Sequence, residues 1–364
     1  MDRLFPLPIY SFLKIAYGNG GISSNGLSKI PGWLLKTILF EPLRWTELAI
    51  YNRKISQHTI IKPPVFILGF YRSGTSYLHE FFTQDDRFGY HSNFQMMFPE
   101  IMLSSEKWMS PAFDSIFRLF KLEDPVHRVP LSLRFPGEED GAMTTSLSPR
   151  GAVWGYFFPN KMIDYFDKYV LFENIPATEI EAWKHEYVFL LKKISLANHN
   201  KKLVLKSPPN TARIRLLLSL YPDAKFVFIH RNPYEVYASN KRFWKVTHKI
   251  YALGGTSSVD INSIILDTYT KTMNRYLMEK HMVPQGQLIE LAYEDFIKSP
   301  VTCMKAAYET LQLDDFSYCE NKMTSFAALQ KEFKSIDHQL PPDELTMVSK
   351  KLKPLICHWN YPLL

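Results

Sequence analysis

A parallel β-sheet flanked by helices, an α/β fold, is the class this 364-residue sequence predicts. Three observations point there. Short β-branched and aromatic runs, apolar enough for burial on both faces, alternate with stretches of helical periodicity. The first of those runs breaks into a glycine-framed turn and resumes at helical spacing, as strand, phosphate loop and helix do. Hydrophobic residues make up 46 % of the chain and aromatic residues 15 %, which allows a sizeable core and excludes disorder.

Taken in order, residues 1–62 read as a helical N-terminal extension, with GNGGISSNG (18–26) as a loop and residues 31–54 as a helix bent at Pro42. Its basic residues Arg3, Lys14, Lys29, Lys36, Arg44, Arg53, Lys54 and Lys62 outnumber the acids Asp2, Glu41 and Glu47. Trp33, Leu34, Ile38, Trp45 and Leu48 form an apolar face expected to pack on the main domain, with peripheral contact to a membrane surface as the alternative. The remaining residues, 63–364, read as one domain. It opens on PVFILGFYRSGTSYLHEFF (64–82), where Gly69 and Gly74 stand in the G-x-x-x-x-G spacing that lets backbone N–H groups and a helix N-terminus converge on one anion.

Residues 92–180, rich in Phe, Tyr, Met and Pro, read as an insertion with helices near 93–104 and 110–121, a candidate ligand-binding region. Three more strands follow: KLVLKSP (202–208), AKFVFIHR (224–231) and QLIELAYE (287–294). Helical patterns at 181–198, 210–220, 233–247 and 262–282 separate them, so the order is β-α-β and the sheet is parallel. Ligands then gather at the C-terminal ends of the strands. The loop 252–263 has the Gly and Ser content of a mobile lid and equally of a plain surface connection.

Composition narrows the partners. The net charge of +7 favours anionic ligands, but the basic residues are scattered and no RNA-binding signature appears, so nucleic acid is not an expected partner. Cys303, Cys319 and Cys357 show no metal-ligand spacing and are too few to staple the chain, which fits a reducing cytoplasm. The N-terminal apolar stretch is cut by Pro6, Pro8 and Lys14 and makes a poor signal peptide, and no apolar run is long enough to span a bilayer. Oligomeric state leaves no mark in the sequence.

The loop itself departs from a nucleotide triphosphatase. A Walker loop follows its second glycine with Lys; here Thr75 and Ser76 follow Gly74, and the nearest cation is Arg72, accompanied by the hydroxyl donors Ser73, Thr75 and Ser76. That set suits an anion held without a metal ion. The stretch resembles the 5′-phosphosulfate loop of sulfotransferases, with Arg72 where many cytosolic members carry Lys. The resemblance implies the co-substrate 3′-phosphoadenosine 5′-phosphosulfate (PAPS), held by Arg72, Ser73, Gly74, Thr75 and Ser76.

Further on, the strand 224–231 ends in Arg231 and a helix brings Ser239 round eight residues later, a guanidinium and a hydroxyl that can grip one phosphate. This pair resembles the family's 3′-phosphate site. Tyr77, directly after SGTS, and Tyr293, opening Y-E-D-F, match aromatic positions beside the adenine, and each is equally well a core aromatic in a chain with 20 Tyr and 26 Phe.

Sulfuryl transfer needs positioning and cations near the leaving oxygen. Arg72 and Lys206, in L-K-S-P-P-N, are the candidates. The K-S-P segment resembles one in a broad, largely bacterial branch that commonly carries His where this chain has Asn210. For the base, FPGEEDGAM (135–143) resembles that branch's P-x-E-D-E segment, and Glu138 matches its first Glu. Glu139 and Asp140 invert the usual order, a run of three acids also suits a solvated turn, and His91 and His127 are the reserve bases.

The R-K-G-x-x-G segment with which the cytosolic branch closes its site has no counterpart in KKLKPLICHWNYPLL, so the resemblance covers residues 64 to about 312. The implied acceptor is a small-molecule hydroxyl, by preference a hydrophobic alcohol such as a sterol or lipid, and alternatively a carbohydrate or phenol. Phe94, Met96, Met97, Phe98, Trp108, Trp154, Phe157 and Phe158 would line its site or belong to the core. A P-loop kinase fits less well, because no Lys follows Gly74 and the strand at 225–230 ends in His-Arg rather than a metal-binding Asp. A non-catalytic nucleotide-binding scaffold is the reading from another class.

Overall fold

Five short strands pair in parallel in the order β2-β3-β1-β4-β5: β1 Val65–Leu68, β2 Phe88–Tyr90, β3 Lys202–Lys206, β4 Lys225–His230 and β5 Leu288–Ala292. The computed structural model describes residues 8–124, 130–256, 259–330 and 340–364. By its internal contacts the chain divides into two units, one of residues 62–90, 201–244 and 260–364, the other of residues 1–61, 91–200 and 245–259.

The first unit holds the sheet. Its central strands are apolar throughout because both faces are covered. Val65, Ile67, Val227 and Ile229 point to a core completed by Leu78, Phe81 and Phe82 of the helix Thr75–Phe82 and by Phe296, Met304 and Tyr308. Phe66, Phe226 and Phe228 point the other way, where Phe228 stacks on Tyr276 of the helix Ile261–Glu279 at 3.7 Å between ring centroids. The register sets Val65 opposite Val204 and Lys225, so the C-terminal ends of β1, β3 and β4 open on the same edge.

The four strands expected from the sequence are present. The edge strand β2 is not visible in sequence, since three residues, Phe-Gly-Tyr, carry no measurable period. The strand expected over 287–294 stops at Ala292, because Tyr293 opens a new helix with Glu294 and Asp295 in its first turn, where carboxylates favour helix initiation.

The second unit is helical. Its longest elements are Ile30–Gln57, which runs through Pro42 as one helix, Met102–Leu119 and Ala177–Ala197. The stretch 18–26, expected as loop, is a turn followed by a single helical turn Ser24–Leu27, capped by the Ser23 hydroxyl accepting from the Gly26 N–H.

The apolar face expected over residues 31–54 to pack inward is corrected in part: Trp33 packs on an apolar cluster, but the rest of it does not face in as a stripe. Ile38 and Trp45 are exposed and Trp33, Leu34 and Leu48 half-buried. The inward side also carries Glu47, only 1 % exposed, whose Oε2 accepts from the backbone N–H groups of Leu103 and Ser104 at 3.0 Å each and whose Oε1 pairs with Lys193 Nζ at 2.6 Å. The carboxylate thus caps the first turn of the helix Met102–Leu119 and, with Phe40 and Leu43, fixes which side of Ile30–Gln57 faces in.

Candidate active site

The loop between β1 and the helix Thr75–Phe82 is shaped by close approach. Gly74 has φ +101, and a Cβ placed there would lie 2.4 Å from Tyr293 Cδ2; at Gly69, a Cβ would meet Ile229 O at 2.6 Å and Ser73 Oγ at 2.7 Å. Only glycine fits at either position. Gly69 is further pinned by its N–H donating to Thr211 Oγ1 at 2.8 Å, and the Ser73 hydroxyl, buried, donates to Phe70 O at 2.7 Å. The first N–H groups of the following helix, those of Thr75, Ser76 and Tyr77, have no carbonyl one turn earlier to accept them and are the donors this loop offers an anion.

Arg72 sits in this loop at φ +69, a left-handed conformation rare for a residue with a side chain. Held so, its Nε donates to Ser239 Oγ at 3.1 Å. Arg231, at the tip of β4, donates from Nη1 to the Arg72 carbonyl at 3.4 Å, is paired with Glu235 at 3.3 Å, and lies over the Tyr293 ring at 4.4 Å. Asn240, one residue past Ser239 in the helix Pro233–Tyr251, donates from Nδ2 to Tyr71 O at 2.9 Å. The phosphate loop and the arginine–serine pair, 159 residues apart between Arg72 and Arg231, therefore form one continuous wall.

Lys206 ends β3 opposite Ile67 of β1 and is only 3 % exposed. Tyr77 packs edge-on against Phe81 and Phe296 at 5.1 and 5.5 Å, on the margin of the apolar core, and burial, helped by the neighbouring Tyr293, pushes its phenol pKa up. Asn210, where the bacterial branch commonly has His, is fully buried and accepts from Arg213 Nη1 at 3.2 Å.

In the helical unit, Glu138 is the extended residue before the helix Glu139–Thr145. It is half-buried, whereas Glu139 and Asp140 are fully buried, so the three acids are not the solvated turn that such a run also suggests. The segment is held by Ser92 bridging Pro136 and by the Gly137 N–H donating to His91 O at 2.7 Å. His91 is itself fully buried, and His127 lies outside the described residues. Phe94, Phe98, Trp154 and Phe158 belong to apolar clusters of this unit, while Met97 and Trp108 are exposed.

The model of the family described as Sulfotransferase family matches residues 63–317, more than half of the chain. The chain belongs to the sulfotransferase family. It is an enzyme that transfers a sulfuryl group.

Among curated relatives, the omega-hydroxy-beta-dihydromenaquinone-9 sulfotransferases Stf3 of Mycobacterium bovis and Mycobacterium tuberculosis are each 27 % identical over 319 residues, 87 % of this chain and 80 % of theirs. The solved sulfotransferase STF9 of Mycobacterium avium superposes with a TM-score of 0.70 at 16 % identity, over 88 % of this chain and 82 % of that one. STF1 of Mycobacterium tuberculosis superposes with a TM-score of 0.65 at 19 % identity, over 94 % of this chain and 90 % of that one. These two likenesses establish the parallel α/β fold.

The sulfotransferase also carries a set of residues that motif reading does not find. The Asn232 N–H, next to Arg231, donates to Glu294 Oε1 at 3.0 Å, and Glu294 Oε2 accepts from the Tyr361 hydroxyl at 2.7 Å. That hydroxyl also lies 3.0 Å from His230 Nδ1, and Trp359 stacks on the His230 ring at 5.3 Å. Burial pushes the His230 pKa down, against the opposing pull of Glu294, Glu290 and Asp295. The segment Trp359–Tyr361 thus steadies the end of β4 from which Arg231 projects. Its only sequence signal is the aromatic content of HWNY, which is common in this chain.

Proposed function

We propose that the enzyme takes the sulfuryl group from PAPS and delivers it to the hydroxyl of a hydrophobic alcohol, a sterol or lipid. The observation that carries the donor assignment is the hydrogen bond from Arg72 Nε to Ser239 Oγ, with Arg231 at the Arg72 carbonyl. One bisphosphorylated nucleotide can then engage both the N–H groups of residues 75–77 and the Arg231–Ser239 clasp. The tight glycine turn, in which a Cβ at Gly69 or Gly74 would collide with Ile229 or Tyr293, keeps the backbone conformation whose N–H groups suit a phosphosulfate.

Bound there, PAPS supplies the sulfuryl group, whose bond to the 5′-phosphate oxygen is the one that breaks. Arg72 and Lys206 hold positive charge on the sheet edge where that oxygen gains negative charge. Tyr293, under the Arg231 guanidinium, and Tyr77 are assigned to the adenine side. Glu138 is assigned as the base that accepts the acceptor hydroxyl proton. The lipid-like acceptor is supported by the menaquinone derivative in the name of the 27 % identical relatives.

The test is titration with adenosine 3′,5′-bisphosphate, followed by a screen with labelled donor against steroid, isoprenoid-lipid, phenol and glycan acceptors. Binding is expected without magnesium and to weaken at least about tenfold in Arg231→Ala, the loss of a charge-assisted phosphate contact. Glu138→Gln is expected to bind the nucleotide unchanged and to lose at least about a hundredfold in turnover. Preference for ATP would overturn the donor assignment, and full turnover in Glu138→Gln would overturn the base.

A further inference from the structure

The helix Ile30–Gln57 is apolar on both sides. Its inward side packs Phe40 and Leu43 on an apolar cluster and fixes Glu47, whose pairing with Lys193 and the first turn of Met102–Leu119 would be broken by any rotation. Its outward side is apolar: Leu35, Ile38, Leu39, Pro42, Trp45 and Ile50 fall on one arc of the helix, with Ile38 69 %, Leu39 60 % and Leu35 58 % exposed. A stripe of this kind, held on the outside by a buried ion pair, costs solubility unless something covers it.

The helix Pro8–Gly18 adds to it. Phe12 stacks on Trp33 at 4.1 Å between ring centroids, while Ile9, Tyr10, Leu13 and Tyr17 are left exposed. The charges of residues 8–61 decide what the cover is. They contain two acids, Glu41, bridged to Arg44, and Glu47, which is buried. Lys14, Arg53 and Lys54 are exposed. The outward surface is therefore apolar and cationic, with Trp and Tyr among the exposed rings, the composition that lies in the plane of an anionic lipid interface. Among the described residues no helix is long and apolar enough to cross a membrane.

We propose that the outward face of Ile30–Gln57, with that of Pro8–Gly18, seats the enzyme on the surface of an anionic bilayer. The proposal rests on residues 8–61 and not on the donor or acceptor assignment. It is tested by co-sedimentation of the full chain with vesicles of phosphatidylcholine alone and of phosphatidylcholine mixed with phosphatidylserine. Binding is expected to the mixed vesicles, weakening at high salt.

Ile38→Ser with Leu39→Ser is expected to weaken it by at least about tenfold, and replacement of Lys14, Arg53 and Lys54 by Gln by about fivefold for each charge. Both positions of the first variant are exposed, so its melting temperature and nucleotide binding stay those of the wild type. Three results overturn the proposal: no sedimentation with either vesicle, sedimentation that neither variant alters, or a wild-type dimer in solution that the Ile38/Leu39 variant converts to monomer without any vesicle binding.

Discussion

At the scale of single residues, the site depends on positions whose backbone or distant partners matter as much as their type. Arg72 is legible as a cation in a phosphate loop, but its left-handed backbone is not, since φ +69 is what a reader assigns to the flanking glycines. Arg231 and Ser239 are legible together because a strand tip and the helix that follows it meet at one edge of the sheet, where one phosphate can reach both. Tyr361 is illegible: its partners Glu294 and His230 lie 67 and 131 residues away, and no period connects them.

Because Tyr361 holds Glu294, and Glu294 holds the Asn232 N–H beside Arg231, Tyr361→Phe is expected to loosen the arginine rather than the chemistry. Removing the hydroxyl leaves a carboxylate one donor short, worth about 1–3 kcal/mol. Isothermal titration with adenosine 3′,5′-bisphosphate is expected to show about three- to tenfold weaker binding, with kcat changed less than twofold at saturating donor. Unchanged affinity together with a lowered melting temperature would make the Trp359–Tyr361 segment a structural prop only.

At the scale of elements, the sheet was readable because buried parallel strands are continuous apolar runs, as in KFVFIH, and helices between them force the right-handed parallel arrangement. The helix Ile30–Gln57 was readable as a helix and misread in part as to its faces. Apolar residues lie on both its arcs, with Phe40 and Leu43 packed inward, and a sequence pattern alone does not say which arc meets the core. What reverses part of the assignment is tertiary: Glu47 has its partners Leu103 and Ser104 56 and 57 residues away, and Lys193 far beyond them.

That reversal gives a prediction about stability. Breaking a buried ion pair from one side strands the other charge and costs about 3–5 kcal/mol. Glu47→Gln retains one acceptor oxygen for the helix cap but leaves Lys193 with only the Pro99 carbonyl and no counter-charge, and Lys193→Met leaves Glu47 with its cap donors and no counter-charge. In urea unfolding each is expected to destabilise strongly, while the double variant costs clearly less than the sum. Additive single costs would show that the two side chains do not stabilise the fold as a pair.

At the scale of the whole molecule, pH couples to folding through histidines held neutral. His58, His230 and His248 all have pKa values pushed down, in each case by burial first, with Lys192 adding to the effect at His58. The unfolded chain binds protons at these positions near pH 6.5, where the folded chain does not. Stability is therefore fully present above that pH and falls as pH drops through it towards the lowered folded values. Burial raises the carboxyl pKa of Glu100 and Glu106, and these two act with the opposite sign, contributing stability below the unfolded carboxylate range that is lost as pH rises.

The two contributions overlap in a single melting curve, so the check is a difference. His248→Gln removes one titrating group whose shift has burial as its sole cause. Between about pH 7.5 and about pH 5.5 the melting temperature of this variant is expected to fall less than that of the wild type, whatever constant cost the substitution adds. Parallel curves would mean that His248 takes up its proton equally in the folded and unfolded chain. The buried imidazole would then make no contribution to the enzyme's sensitivity to acid.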